Sequence, residues 1–366
     1  MQAAPDFYRY YAPDYEGARR KFVTGATAAG AELSRYTHPS ATGPAGEMLS
    51  VDVAVVGALD APKKCLVISG THGQEGFAGS AAQLAWLESD QARQLPRDLS
   101  VVLVHGLNPY GFAHWSRTTE NNVDLNRNFV DHAQPYPTNP HYAELHPFIV
   151  DPAWNSASIA RLDKKFVDFF EAHGADVIYN TLQSGQYTHP DGVIYGGDRR
   201  EWSNLTLEAI MRDHFDSAEK VGFIDWHTGI GDYARSFFLC FNEPGGDLFE
   251  RAVSWWGAEN VKDQRPHGLS RPKYTGLVFQ GVQQFLGDRP CCGAVVEFGT
   301  RGIKMRRAIR LDLWLRTHGR KDTDQYELLR ADMADAFLPV NHEWREATIS
   351  LGREITSLAV NGMADW

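Results

Sequence analysis

Short apolar runs bounded by turn residues alternate along this chain with longer amphipathic stretches. A run too short for a helix and apolar on both faces has to be buried between two layers, so this alternation constrains the fold more than any other feature. The clearest runs are VDVAVVG (51–57), CLVISG (65–70), LSVVLVHG (99–106), VGFIDWH (221–227), SFFLCF (236–241) and GAVVEFG (293–299). Helices are expected over 14–29, 78–95, 156–173, 203–217, 246–258 and 323–336. Strands interleaved with helices predict an α/β fold. No repeat, low-complexity tract or clean domain boundary interrupts the pattern. Two long loops stand out. Residues 131–152 are rich in Pro and His but carry aromatics, which suits an ordered excursion; the Gly-rich stretch 182–202 has the length of a loop that borders a substrate cleft.

Bulk properties exclude several function classes. With 36 basic and 46 acidic side chains the formal net charge is -10, which argues against a general binder of nucleic acid or of anionic membranes. The densest basic cluster, RGIKMRRAIR (301–310), is expected to be a solvated helix face rather than an anion site. The first residues lack a signal-like apolar stretch and no run of apolar residues is long enough to span a bilayer, so the expected location is cytoplasmic. Four cysteines, two of them the neighbours Cys291 and Cys292, provide neither a disulfide framework nor a zinc–thiolate site.

The turn SGTHGQEGFAGS (69–80) places His72 and Glu75 three positions apart directly after an apolar run. An imidazole and a carboxylate just past a strand end can both face one divalent cation, but a catalytic site of this kind wants a third protein ligand. His227, which closes VGFIDWH before the turn residues Thr228 and Gly229, is the candidate. The stretch NPYGFAHWSRTTENNVDLNRNF (108–129) brings Arg117, Asp124, Asn126 and Arg127 into one loop beyond another strand end, where ligand-binding groups of open α/β sheets gather. Glu297 lies inside the apolar strand AVVEFGT, where a carboxylate costs several kcal/mol unless it is paired or put to use. Any one of the 14 histidines, His105, His114 and His189 included, is by itself an ordinary loop or core residue. Arg127 with Asp124 could be a structural ion pair, and Arg117 a surface charge.

Taken in order, HGQE, NPYG, a downstream arginine, NVDLNRNF, DWHTG and VVEFG resemble the zinc carboxypeptidase superfamily, including its aspartoacylase and succinylglutamate desuccinylase branch. The pattern is most similar to a bacterial carboxypeptidase-like family of unassigned function. That resemblance implies one large domain over 1–366, with a mixed, mostly parallel twisted sheet flanked by helices and a helical segment of about 1–45 packed on it. It implies one zinc ion held by His72, Glu75 and His227, with Asp124 orienting a zinc histidine. Glu297 would be the general base, Arg117 would polarise the scissile carbonyl, and Asn126 and Arg127 would clamp a substrate carboxylate. Tyr274, in RPKYTGL, could close over the substrate, although a tyrosine beside Pro and Gly is an ordinary loop residue too.

The expected reaction is hydrolysis of an amide bond next to a carboxylate, on a peptide or small-molecule substrate. A carboxypeptidase leads, with an N-acyl amino acid deacylase or a metalloesterase as alternatives. A non-catalytic carboxylate-binding protein is disfavoured because Glu297 is intact. Another divalent ion could replace zinc. The stretches SWWG and REWSN leave open both a core role and a homo-oligomer interface.

Overall fold

The computed structural model describes residues 7–262 and 272–366. The first half of the chain runs α1 (Tyr15–Ala28), β1 (Glu32–Thr42), β2 (Met48–Gly57), β3 (Lys63–Ser69), α2 (Gly76–Leu87), β4 (Leu99–His105) and α3 (Pro109–His114). Then follow α4 (Tyr142–Ile149), α5 (Ser156–Gln183), α6 (Trp202–His214), β5 (Lys220–Gly229), β6 (Ser236–Cys240) and α7 (Asp247–Trp256). The chain continues with β7 (Val261–Lys262), α8 (Val278–Leu286), β8 (Cys291–Gly299), α9 (Met305–Thr317), α10 (Asp324–Phe337) and α11 (His342–Ala364).

The strands form one mixed sheet in the order β1-β2-β4-β3-β5-β8-β6-β7. Its centre is parallel: β4, β3, β5 and β8 run the same way, and β2 and β6 flank them antiparallel. Central parallel strands are covered on both faces, which is why β4 and β8 read as largely apolar runs and are buried along their whole length. On one face Phe22 of α1, Trp86 of α2, Trp256 of α7 and Trp344 of α11 belong to one buried cluster with Trp226 and Phe298. Those last two stack across β5 and β8 at 5.1 Å and 7°. On the other face Leu207 of α6 and Val278 of α8 share a second buried cluster with Leu66, Phe223 and Val295. The α/β fold with a mixed, mostly parallel sheet is the one expected.

Three differences have physical causes. The stretch 1–45 is not wholly helical: beyond its first six residues, which lie outside the described part, it holds α1 and then the strand β1. β1 is an edge strand exposed along most of its length, so it lacks the apolar alternation that marks a strand. The helix expected to stop at 173 continues to Gln183, but across a break at Gly174 (φ 80°, ψ 174°), so the predicted end coincides with the kink. α11 was not foreseen because its buried stripe includes Thr348, Gly352 and Thr356 among the apolar positions.

Asp52 of β2 is buried under α1, where Arg19 Nε lies 2.5 Å from its Oδ2 and Arg35 Nε lies 3.1 Å from its Oδ1. Burial alone would push its carboxyl up, but Arg19 outweighs this and holds the pKa below the ordinary value. A group shifted down on folding adds stability above its unfolded pKa, and this is lost as pH falls through the folded one. Asp52→Asn is expected to cost about 2 to 3 kcal/mol near neutral pH. In urea denaturation the gap between variant and parent should narrow as the pH drops below the usual carboxylate range; a gap independent of pH would contradict this account.

Candidate metal centre

β3 ends at Ser69, and Gly70 turns the chain with φ +73°, a conformation that a side chain would make costly. Gly73 then lies so close to α3 that a Cβ on it would sit 1.9 Å from the Gly111 carbonyl carbon. Between and after these glycines His72 and Glu75 are carried into one buried spot beyond the strand end. The parallel neighbour β5 ends at Gly229, and its register pairs Asp225 with Ile68 of β3 and His227 with Glu297 of β8. Asp225 and His227, two apart on a strand, share a face. The centre therefore sits at the carboxyl ends of adjacent parallel strands.

Ligand atoms of His72, Glu75 and His227 all lie within 4.8 Å of one another. His72 Nδ1 is 3.0 Å from Glu75 Oε1, His227 Nδ1 is 3.1 Å from Glu75 Oε2, and the two Nδ1 atoms are 3.1 Å apart. Each ring is held from behind by an acid: His72 Nε2 is 3.0 Å from Asp124 Oδ1 and His227 Nε2 is 2.9 Å from Asp225 Oδ2. An imidazole that donates from Nε2 to a carboxylate keeps a lone pair on Nδ1. Two such lone pairs and a carboxylate converge, an arrangement that is repulsive without a cation among them. The charges agree. Four buried carboxylates, Glu75, Asp124, Asp225 and Glu297, surround two imidazoles and the guanidinium of Arg117. The residues present fit a divalent cation, and two imidazoles with one carboxylate are a donor set suited to zinc.

The shift of His227 agrees with an excess of negative charge. Burial presses the His227 imidazole towards its neutral form, but Asp225 and then Glu75 outweigh it and raise its pKa well above the ordinary value. Burial likewise opposes ionisation of Asp124 and Glu75, yet Arg117 holds the first, and His72 the second, below the usual carboxylate range. Glu297 differs: burial raises its pKa, and its Oε2 accepts the Ile230 N–H at 3.2 Å.

Asp124 thus meets His72, and Asp225 does the same for His227. Asp225 was not singled out from the sequence, although its place two residues before His227 in an apolar strand was a signal of the same kind as Glu297. Arg117 is no surface charge: its Nη1 donates to Glu75 at 3.1 Å and its Nε and Nη2 to Asp124 at 3.3 and 3.2 Å. It takes the ion-pair place that Arg127 could have filled. Arg127 instead donates from Nε and Nη2 to the Gln183 carbonyl at 3.0 and 2.7 Å and from Nη1 to the Asn126 carbonyl, with no carboxylate in contact among the described residues. Asn126 Oδ1 accepts the Val278 N–H at 2.9 Å, tying this loop to the start of α8. The Arg127 guanidinium lies 5.1 Å from the centre of the Tyr274 ring, whose hydroxyl donates to Gln183 Oε1 at 3.4 Å. The other histidines are elsewhere: His105 pairs with Ser80 at 2.9 Å, His114 with the Thr42 carbonyl at 2.9 Å, and His189 packs on His146. The described residues hold one further group of metal-ligand spacing, His141, Glu144 and His173, which is mostly exposed and has Lys165 on Glu144.

His72, Glu75, His227, Glu297, Arg117, Asn126, Arg127 and Tyr274 all line one cavity of about 410 Å³. Leu182, Gln183, Val193 and Ile194, from the expected cleft-bordering loop and the end of α5, line it as well. So does Ile149, at the end of the 131–152 excursion. Among the described residues no helix is long and apolar enough to cross a membrane.

Residues 11–351 match the family described as protein of unknown function (DUF2817). The chain belongs to that family. No curated protein matches the sequence. Among solved structures, bovine thrombin-activatable fibrinolysis inhibitor in complex with tick carboxypeptidase inhibitor is similar with a TM-score of 0.50 at 10% identity, over 98% of this chain and 99% of that one. A metallo-carboxypeptidase from Burkholderia cenocepacia gives 0.47 at 14% identity, over 97% and 71% of the two chains. A metallo-carboxypeptidase from Pseudomonas aeruginosa gives 0.45 at 14%, over 94% and 67%. At such identities the likeness concerns the fold, which is carboxypeptidase-like, as the sequence resemblance implied.

If Asp225 and Asp124 orient the two imidazoles, replacing either by Asn should weaken zinc binding by about 10- to 100-fold while the protein stays folded. Competition against a chromophoric chelator measures this, with circular dichroism as the folding control. Unchanged zinc affinity in both variants would refute the orienting role.

Proposed function

We propose that this protein is a metal-dependent hydrolase of an amide bond next to a substrate carboxylate, acting on peptides as a carboxypeptidase or on N-acyl amino acids as a deacylase. The observation that carries the reading is the meeting, in one cavity, of the His72–Glu75–His227 cluster, the buried base Glu297 and an arginine, Arg127, that no carboxylate of the described protein neutralises. Zinc held by His72, Glu75 and His227 would supply a Lewis acid and lower the pKa of the attacking water to about 7.

The remaining work falls to side chains. Arg127 offers a planar fork suited to the substrate carboxylate, with Asn126 beside it, and this fixes which amide bond reaches the centre. Glu297, placed beside His227 by the strand register, accepts the proton of the attacking water on a carboxylate oxygen and returns it to the departing amine nitrogen. Arg117 stands at the cluster and shares the charge that develops on the carbonyl oxygen; one such donor is typically worth about 3 to 4 kcal/mol. Tyr274 lies over Arg127 and shields the carboxylate end from water.

Peptides with a free C-terminus and N-acyl amino acids, each paired with its carboxamide counterpart, form the test panel. Hydrolysis should occur only with the free carboxylate, vanish on chelation and return with zinc. Glu297→Gln should lower kcat by about 10² to 10⁴ with zinc content unchanged. Equal turnover of the carboxamides, or full activity in Glu297→Gln, would sink the assignment.

A further inference from the structure

The basic stretch 301–310 is not a solvated face throughout. α9 turns Met305, Arg306, Ile309 and Arg310 towards the same cavity, at spacings that make one stripe of a helix. Arg310 is only 4% exposed. Its Nε donates to the Ile149 carbonyl at 3.0 Å and its Nη2 to the Asp151 carbonyl at 3.4 Å, and its guanidinium lies 4.7 Å from the centre of a Trp154 ring. Among the described residues it meets no carboxylate within ion-pair distance. The side chain of Asp151, the acid that acts on it most, is taken by Arg161 at 2.7 Å. Arg306, one turn away, is exposed at the rim and contacts the ring of Phe166 at 5.4 Å, again without an acid. A buried cation with no carboxylate in contact is costly; Arg127, also buried in the cavity wall, is in the same position, whereas Arg117 has two acids. The cavity wall that this pair shares with the metal cluster includes the apolar side chains Ile149, Leu162, Phe166, Met305 and Ile309.

We infer that Arg306 and Arg310 form a second anion subsite of the cavity, and that the substrate carries an acidic group separated from the scissile amide by an apolar segment. The substrate half of this inference rests on the hydrolase reading; the subsite itself does not. The spacing follows from α9. A Cβ placed on Gly229 would be 3.5 Å from Met305 Cε and 3.8 Å from Glu297 Oε2, so Met305 stands at the reacting end. Arg310 is five residues further along, a rise of about 7.5 Å. That is about two extended residues, or an acyl chain of similar reach. In a protein of net charge -10, an exposed Arg306 at the rim also favours entry of an anionic substrate over exit.

The two statements are separable by experiment. Calorimetry on the zinc-loaded protein compares suberate, with an acid at each end, with octanoate, with one. Suberate should bind at least tenfold more tightly, and Arg306→Gln combined with Arg310→Lys or Arg310→Met should erase most of that preference. Because Arg310 also holds the end of α4, thermal melts accompany each variant, and Arg306→Gln alone, at an exposed position, should still reduce the preference severalfold. Equal binding of the two acids, or a preference that survives in every folded variant, overturns the subsite. Hydrolysis of N-suberoyl-phenylalanine should exceed that of N-octanoyl-phenylalanine at least tenfold in kcat/KM. Equal hydrolysis of both overturns the inference and leaves the hydrolase reading intact. Cleavage of neither, with the suberate preference retained, supports the subsite and removes the hydrolase reading.

Discussion

Carboxylates outnumber the cations at the heart of this molecule. Glu75, Asp124, Asp225 and Glu297 are all buried around two imidazoles whose Nδ1 atoms are 3.1 Å apart, and among the described residues Arg117 is the one guanidinium that contacts two of them. Such a cluster is stable when a cation joins it. A divalent ion supplies most of the missing positive charge, and the raised pKa of His227 reflects the same demand. Metal binding at such a site is coupled to proton release. The same excess of negative charge explains why Arg117 is drawn into the cluster while Arg127 is left facing the cavity.

The sheet makes that concentration of charge possible. Parallel strands β3, β5 and β8 lie side by side, so their carboxyl ends present His72, His227 and Glu297 from adjacent positions with little freedom to drift. Packing on both faces fixes the strands; the stack of Trp226 on Phe298 lies on the face opposite His227 and Glu297, since neighbouring residues of a strand point to opposite sides. Glycines then let the loops approach closely enough: Gly73 against Gly111 brings the HGQE turn onto the NPYG helix. Site geometry and core packing are thus two consequences of one strand register.

Elements outside the sheet decide what can reach the centre. α4, α5 and α9 supply an apolar wall ending at Arg306 and Arg310, and the 182–194 stretch supplies another side of the same cavity. The chemistry at the strand ends is compatible with several amide substrates, and the discrimination among them falls to this outer wall.

Much of this was legible in the chain. Buried parallel strands leave apolar runs, from which the fold class could be read, and a histidine or carboxylate at or near the end of such a run is conspicuous because burial there is expensive; hence His72, Glu75, His227 and Glu297, which the fold brings to one cavity, stood out as candidates. Asp225 carried the same signal and was overlooked beside His227. β1 was illegible because an exposed edge strand has no burial pattern to display. Which arginine pairs with Asp124 was beyond the sequence, since Arg117 and Arg127 are both close to it along the chain and only the folded loop brings Arg117 onto it and turns Arg127 to the Gln183 carbonyl. Nor could a run of basic residues in α9 say which of its sides is buried. Local pattern determines which residues must leave water; only tertiary contacts between distant segments determine which charge each of them meets there, because that depends on distances the sequence does not contain.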